Sequence, residues 1–177
     1  MASWKKISSK TVYRCPYFEL TKDEVVNPFG KKGVYHVIKE SGAVAVVPLD
    51  KENNIYLIHE EKYIPGLIWT IPAGRLNDEN EPPLLAAKRE LKEEAGFLAK
   101  RLEKLGEFYL TPGYSTEYMY LFKAEVLKKE KRKTEKGEVI KKVKAFSLKE
   151  ISEMIRKKEI VDAKTVLAVY LLTENKR

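Results

Sequence analysis

The sequence predicts an α/β (α+β) fold in which helices cover a sheet core and a small antiparallel strand unit comes first. Three observations carry this. Short runs rich in Val, Ile, Tyr and Phe, bounded by turn residues, recur as far as residue 146. Helical periodicity shows at 82–95 and again after Ser147. With 177 residues, 44% of them hydrophobic, the chain can bury one substantial core, since about 70% of the unfolded surface is lost on folding at this size. The predicted division is a strand unit over 1–40 and a main domain over 41–177.

The elements follow in order. Residues 11–14 and 17–27 read as strands interrupted at Cys15-Pro16, Asn27-Pro28-Phe29-Gly30 as a turn, and Gly33–Lys39 as a third strand. Ser41-Gly42 breaks the chain. Ala43–Leu49 is a continuous apolar run, as in a strand covered on both faces. Asp50–Asn54 turns into a partner strand, Ile55–His59, and a short apolar piece follows at Ile68–Ile71. Pro72–Asn80 reads as a loop. Pro82–Ala95 is a helix: its prolines fall where a first turn tolerates them, Leu84, Leu85, Ala87, Leu91 and Ala95 give an apolar side, and Gly96 stops it. Leu105–Leu110 and Tyr118–Val126 are strands around the loop Thr111–Glu117, and Val139–Phe146 is another. Ser147 with Glu150 three residues on is a capping box for a helix over Leu148–Lys157. Asp162–Thr173 is the last helix.

Composition narrows the function. The longest apolar stretches, Ala43–Leu49 and Val166–Leu172, are far shorter than the ~20 residues of a membrane span. MASWKKISSK has no apolar core of an export signal, so a cytoplasmic location is expected and Cys15 reads as a reduced thiol. The net charge is +8, which raises nucleic acid as a partner. Residues 127–144, however, hold nine Lys/Arg and three Glu, mixed in sign and without interleaved aromatics. That pattern reads as a solvated hairpin tip, and nucleic acid is not the expected partner. Neither histidine, His36 or His59, has a zinc-motif partner, and there is no phosphate-binding glycine loop or nucleophile elbow.

The chemistry lies in Gly74–Phe97, GRLNDENEPPLLAAKRELKEEAGF. On a helix, Glu90 and Glu94 share a face and Glu93 borders it, so three carboxylates repel one another. One resolution is a solvated face in which Arg89 pairs with Glu93. The other is a divalent cation, because Mg²⁺ prefers carboxylate oxygens and keeps room for substrate phosphates.

The order Gly74-x6-Glu81-x7-Arg89-Glu90-Leu91-x-Glu93-Glu94-x-Gly96-Phe97 resembles the box of the Nudix hydrolases. It departs only by one extra residue between Gly74 and Glu81, in a loop where insertions are cheap. The resemblance implies an α/β/α sandwich with a mixed sheet that hydrolyses a nucleoside diphosphate linked to another moiety, with Mg²⁺ or Mn²⁺ on the diphosphate. It implies Glu90, Glu93, Glu94 and the carbonyl of Ala73 as metal ligands, with Arg89 orienting the glutamates.

Ser41-Gly42-Ala43-Val44, Pro72-Ala73-Gly74 and Thr111-Pro112-Gly113 with Glu117 look like the ADP-ribose pyrophosphatase branch. On that likeness Glu117 or Glu93 is the general base, and Tyr35, Lys62, Pro112 and Gly113 meet substrate. Departures lie where substrate is held. Tyr35-His36 stands where the branch commonly has Arg-Glu, Glu60-Glu61-Lys62 where it has Gln-x-Arg, and Thr70 where it has Glu. Lys62 can still meet a phosphate, without the fork of an Arg.

The branch also implies a homodimer through the first strand unit, with Tyr17, Phe18, Phe29 or Tyr35 stacking on the base. The expected substrate is ADP-ribose or another nucleoside diphosphate sugar, cleaved to a nucleoside monophosphate and a sugar phosphate. The alternatives are a nucleoside triphosphate or damaged-nucleotide pyrophosphatase, and a binding module for nucleotide or RNA without hydrolysis. The complete set Glu90, Glu93, Glu94 argues against the last.

Overall fold

The computed structural model describes residues 3–78, 80–132 and 137–174, in two units. The first runs up to Gly42 and takes in Phe108–Met119. Its sheet is antiparallel in the order β1 (Lys5–Arg14), β2 (Glu19–Val26), β3 (Lys32–Lys39). Strand β1 starts six residues earlier than the sequence pattern suggests. KKISSK has too few apolar residues to read as a strand, and every residue of β1 is exposed, so burial leaves no signature there. Cross-strand polar pairs hold it instead. Ser9 donates to Asp23 at 2.5 Å, Thr11 to Glu19 at 2.6 Å, and Arg14 to the same carboxylate at 2.5 Å.

The break at Cys15-Pro16 and the turn at Asn27–Gly30 stand where the sequence puts them. Asn27 Oδ1 accepts from the N–H groups of Phe29 and Lys31, and Gly30 takes φ 81°, a conformation that favours glycine. The loop after Leu110 is tied to β3 by Ile38 N–H to Tyr114 O at 2.8 Å and Thr116 N–H to Ile38 O at 3.0 Å.

The second unit comprises Ala43–Glu107 and Tyr120–Arg177. Its strands are β4 (Ala43–Leu49), β5 (Ile55–Lys62), β6 (Gly66–Thr70), β7 (Ala73–Arg75), β8 (Phe97–Tyr109), β9 (Tyr118–Lys129) and β10 (Val139–Phe146), of which Phe108–Tyr109 and Tyr118–Met119 fall in the first unit. The order is β10-β5-β4-β9-β8, with β6 paired to β5 and β7 to β4. Val44 and Val46 of β4 and Ile58 of β5 pack with Ala86, Ala87 and Leu91 of the first helix. The alternate residues Ala45, Val47 and Leu57 are equally buried but lie outside that cluster, so this sheet is covered on both faces. Helices α2 (Leu148–Arg156) and α3 (Ala163–Glu174) touch each other and bury Ile151, Ala168, Val169 and Leu172.

Three expectations need correcting. The helix predicted over Pro82–Ala95 is an α-helix, α1, only over Pro83–Glu90; Leu91–Ala95 form a π turn. The loop predicted over Pro72–Asn80 contains β7, too short to give a period-2 signal. Strand β8 begins at Phe97 rather than Leu105, because AKRLEK sets two charged residues after each apolar one and so carries no period-2 pattern to read. The capping box at Ser147 forms as predicted, Glu150 N–H donating to Ser147 Oγ at 3.2 Å and Ser147 N–H to Glu150 Oε2 at 2.7 Å. Of the charged hairpin at 127–144, residues 133–136 lie outside the described residues. No helix among the described residues is long and apolar enough to cross a membrane.

Candidate active site

The site lies in the second unit, where β7 passes the end of α1. Pro82 caps the helix start with extended backbone and Pro83 takes the first helical position, so α1 begins without a side-chain cap. Ala86 and Ala87 are fully buried against β4, and small side chains let helix and strand approach closely. Gly96, with φ 71°, ends the π turn in the left-handed region and its N–H bonds to Lys92 O. Helix and π turn thus carry Glu90 and Glu94 inward, 5% and 1% exposed, and leave Glu93 at the rim.

Glycine at 74 is dictated by close approach. A Cβ there would stand 2.0 Å from Glu90 Oε1 and 2.2 Å from its carboxyl carbon. On the neighbouring residue, Ala73 N–H donates to Glu94 Oε2 at 2.8 Å. The other oxygen, Glu94 Oε1, is buried with no hydrogen-bond partner among the described residues. A buried carboxylate oxygen without a donor is costly, and a positive group beside it would remove that cost.

Arg89 organises the rim. Its Nη1 donates to Glu90 Oε1 at 2.5 Å and to Glu93 Oε2 at 3.3 Å, and its Nη2 to the carbonyl of Arg75 at 3.0 Å. Nε and Nη2 meet the two oxygens of Glu81 at 3.3 Å each, a fork no lysine could copy. Of the two resolutions weighed from sequence, the pairing of Arg89 with Glu93 forms, and among the described residues no ion pair reaches Glu94.

The electrostatics agree. Burial pushes the Glu90 carboxyl up to about 7 although Arg89 pulls it down. Burial raises Glu94 well above the carboxylate range; the Ala73 N–H opposes this, and the charges of Glu60, Glu90 and Glu138 add to it. Burial also acts against ionised Glu81, but Arg89 and Asn77 hold it below its ordinary value.

Two of these acids were not singled out from sequence. Glu60, 2% exposed on β5, pairs with Lys62 Nζ at 2.5 Å. The two are i,i+2 on one strand face, so the motif was legible as a pair. Glu138 precedes β10 inside the charged run, where nothing distinguished it from its neighbours. Among the described residues no three acidic, His or Cys side chains already converge as a ligand set; Arg89 and the Ala73 N–H hold the glutamates instead. The donor set still fits a hard divalent cation: carboxylate oxygens, one of them orphaned, beside a glycine cradle.

The remaining residues singled out from sequence have other surroundings. Tyr35 on β3 is 41% exposed and meets Trp4 edge-on at 5.3 Å between ring centres. Pro112, Gly113 and Glu117 belong to the first unit with Tyr35. Glu117 N–H donates to Ser115 Oγ at 2.9 Å, and Ser115 donates on to Glu40 at 2.7 Å. His59 stacks on Trp69 at 4.3 Å, a packing role.

A doubly covered sheet with a glutamate-bearing helix end set against a glycine strand thus forms a buried, carboxylate-lined site. Residues 39–169 match the NUDIX domain, and residues 4–38 match the nucleoside diphosphate sugar hydrolase N-terminal domain. The chain belongs to the Nudix hydrolase family. It is 33% identical over 171 residues to the ADP-ribose pyrophosphatase of Bacillus subtilis, covering 95% of this chain and 91% of that one. It is 28% identical over 175 residues to the GDP-mannose pyrophosphatase of Yersinia pestis, covering 93% and 83%. A crystal structure of an ADP compounds hydrolase shares the fold with a TM-score of 0.85 at 24% identity, covering 97% of this chain and 93% of that one. Nudix hydrolases use divalent metal ions.

Proposed function

We propose that this protein hydrolyses the diphosphate of a nucleoside diphosphate sugar, ADP-ribose foremost, to a nucleoside monophosphate and a sugar phosphate, with Mg²⁺ or Mn²⁺ as cofactor. The observation that carries the reading is Glu94, a buried carboxylate with one oxygen fixed by Ala73 N–H and the other unpaired. Relatives similar along nearly the whole chain, an ADP-ribose pyrophosphatase and a GDP-mannose pyrophosphatase, support the substrate class.

Glu90, Glu93, Glu94 and the Ala73 carbonyl would hold the metal. When bound it would neutralise the diphosphate and make a water nucleophilic at neutral pH. Arg89 keeps Glu90 and Glu93 in fixed orientation. Glu117 or Glu93 takes the proton of the attacking water, and Glu138, coupled to both Glu90 and Glu94, is a third candidate. Tyr35, Pro112 and Gly113 contact substrate. Lys62 meets a phosphate once it leaves Glu60. The reaction runs in the cytoplasm.

The protein acts as a homodimer through its first sheet, whose β1 is exposed throughout and carries Ile7 and Val12 at 55% and 47% exposure. Sedimentation of the full chain at micromolar concentration checks this, with a dimer expected; a fully active monomer would refute it. The activity is tested by product analysis across nucleoside diphosphate sugars and nucleoside triphosphates, with and without Mg²⁺. Preference for triphosphates would refute the substrate class.

A further inference from the structure

The backbone that meets Glu94 is held from its other end by helix α3. Asp162 caps that helix, its Oδ2 accepting from Thr165 N–H at 3.0 Å. The same oxygen accepts from the hydroxyls of Thr165 at 2.5 Å and of Thr70 at 2.9 Å, while Lys164 Nζ meets Oδ1 at 2.8 Å. Thr165 Oγ1 in turn accepts from Ile71 N–H at 3.0 Å. Thr70 and Thr165 are 1% and 0% exposed, so no water can replace these bonds.

From there the chain runs to the site through Pro72 and Ala73. Pro72 has no N–H to give, its carbonyl accepts from Val46 N–H at 2.8 Å, and Ala73 N–H goes to Glu94. Only Pro72 separates Ile71, held by the α3 clamp, from Ala73, whose N–H fixes Glu94. The clamp is more elaborate than a helix cap needs: one side-chain oxygen suffices for a cap, whereas this one reaches across to strand β6 and the bend after it.

We propose that Thr165 and Asp162 are positioning residues for the catalytic carboxylates: through Ile71–Ala73 they set the placement of Glu94. The inference rests on the reading of Glu94 as a metal-facing group. Burial opposes a charge on Asp162, yet Lys164, Thr165 and Thr70 hold its carboxyl below the usual value, so the clamp is an ionised, fully hydrogen-bonded unit near neutral pH. Partners one step removed from a metal ligand typically cost about 10–100-fold in metal affinity when lost.

The test is Mn²⁺ binding to the full, substrate-free protein by calorimetry, in wild type and in Glu94→Gln, Thr165→Val, Thr165→Ser and Asp162→Asn, with circular dichroism as the check on folding. Thr165→Val removes the hydroxyl and should weaken Mn²⁺ binding about tenfold, Asp162→Asn should weaken it in the same direction, and Thr165→Ser should restore it to within about twofold. Wild-type Mn²⁺ affinity in Thr165→Val with only a lower melting temperature would overturn the inference and leave α3 a plain helix cap. Should Thr165→Val not fold, wild-type affinity in Asp162→Asn overturns it equally. Absence of Mn²⁺ binding in wild type, or undiminished binding in Glu94→Gln, refutes the reading of Glu94 itself and the inference with it.

Discussion

Gly74→Ala is the smallest change that tests whether Glu90 works where the structure puts it. The added Cβ would lie 2.0 Å from Glu90 Oε1, and ordinary contact begins at 3.4 Å. The carboxylate must therefore retreat by about 1.4 Å, or β7 must lift from β4, to which Gly74 is paired opposite Val44. The clash falls on the end of a flexible side chain, so the stability cost should sit at the low end of overpacking, about 1 kcal/mol. Catalysis should suffer more. A 1 Å misplacement of a reacting constellation costs on the order of 10²-fold, and Glu90 would also pull on Arg89 at 2.5 Å and through it on Glu93. The assay is release of nucleoside monophosphate from ADP-ribose against Mg²⁺ concentration, beside a thermal melt. We expect kcat about 10²-fold lower with the melting temperature within a few degrees. Wild-type kcat at wild-type metal dependence would show that Glu90 is not used in this place.

Other outcomes follow from the same geometry. Glu94→Gln should lower turnover by about 10²–10⁴-fold, the scale of losing a major electrostatic group, while metal-free thermal stability stays level or rises, because a buried carboxylate with an unpaired oxygen is replaced by a neutral isostere. Glu138→Gln and Glu117→Gln compare two candidate bases: the one that acts in the transition state should lose kcat and keep KM, and a change in KM alone demotes that residue to binding. Asp162, its carboxyl held below the ordinary value by Lys164, Thr165 and Thr70 against the effect of burial, adds stability that is complete above its unfolded pKa and is lost as pH falls through the folded one. The melting-temperature gap between wild type and Asp162→Asn should thus be widest near neutral pH and narrow on acidification; a gap that widens on acidification would contradict the assignment.

What could be read from the sequence follows physical rules. Ala43–Leu49 announced itself because a strand covered on both faces must be apolar without interruption, and the Ser147 capping box because two side chains must satisfy two backbone donors at fixed spacing. Strand β1 was only half legible, since its stability comes from Ser9, Thr11 and Arg14 bonded across to β2 rather than from buried apolar residues. The π turn was hidden because LKEEA fits either ladder. At the site, the glutamate spacing and Gly74 were legible. Glu138 was not, and Glu60 was legible only as the i,i+2 partner of Lys62, because the proximity of both to Glu94 is created by strands β5 and β10, distant in sequence from the helix.

The most direct measurement is ³¹P NMR of the full-length protein with ADP-ribose, with and without Mg²⁺. The predicted result is loss of the diphosphate resonances and growth of two phosphomonoester signals, AMP and ribose 5-phosphate, only with the metal present, and their absence with Glu94→Gln. Unchanged diphosphate in the presence of Mg²⁺, or equal turnover by Glu94→Gln, would contradict it.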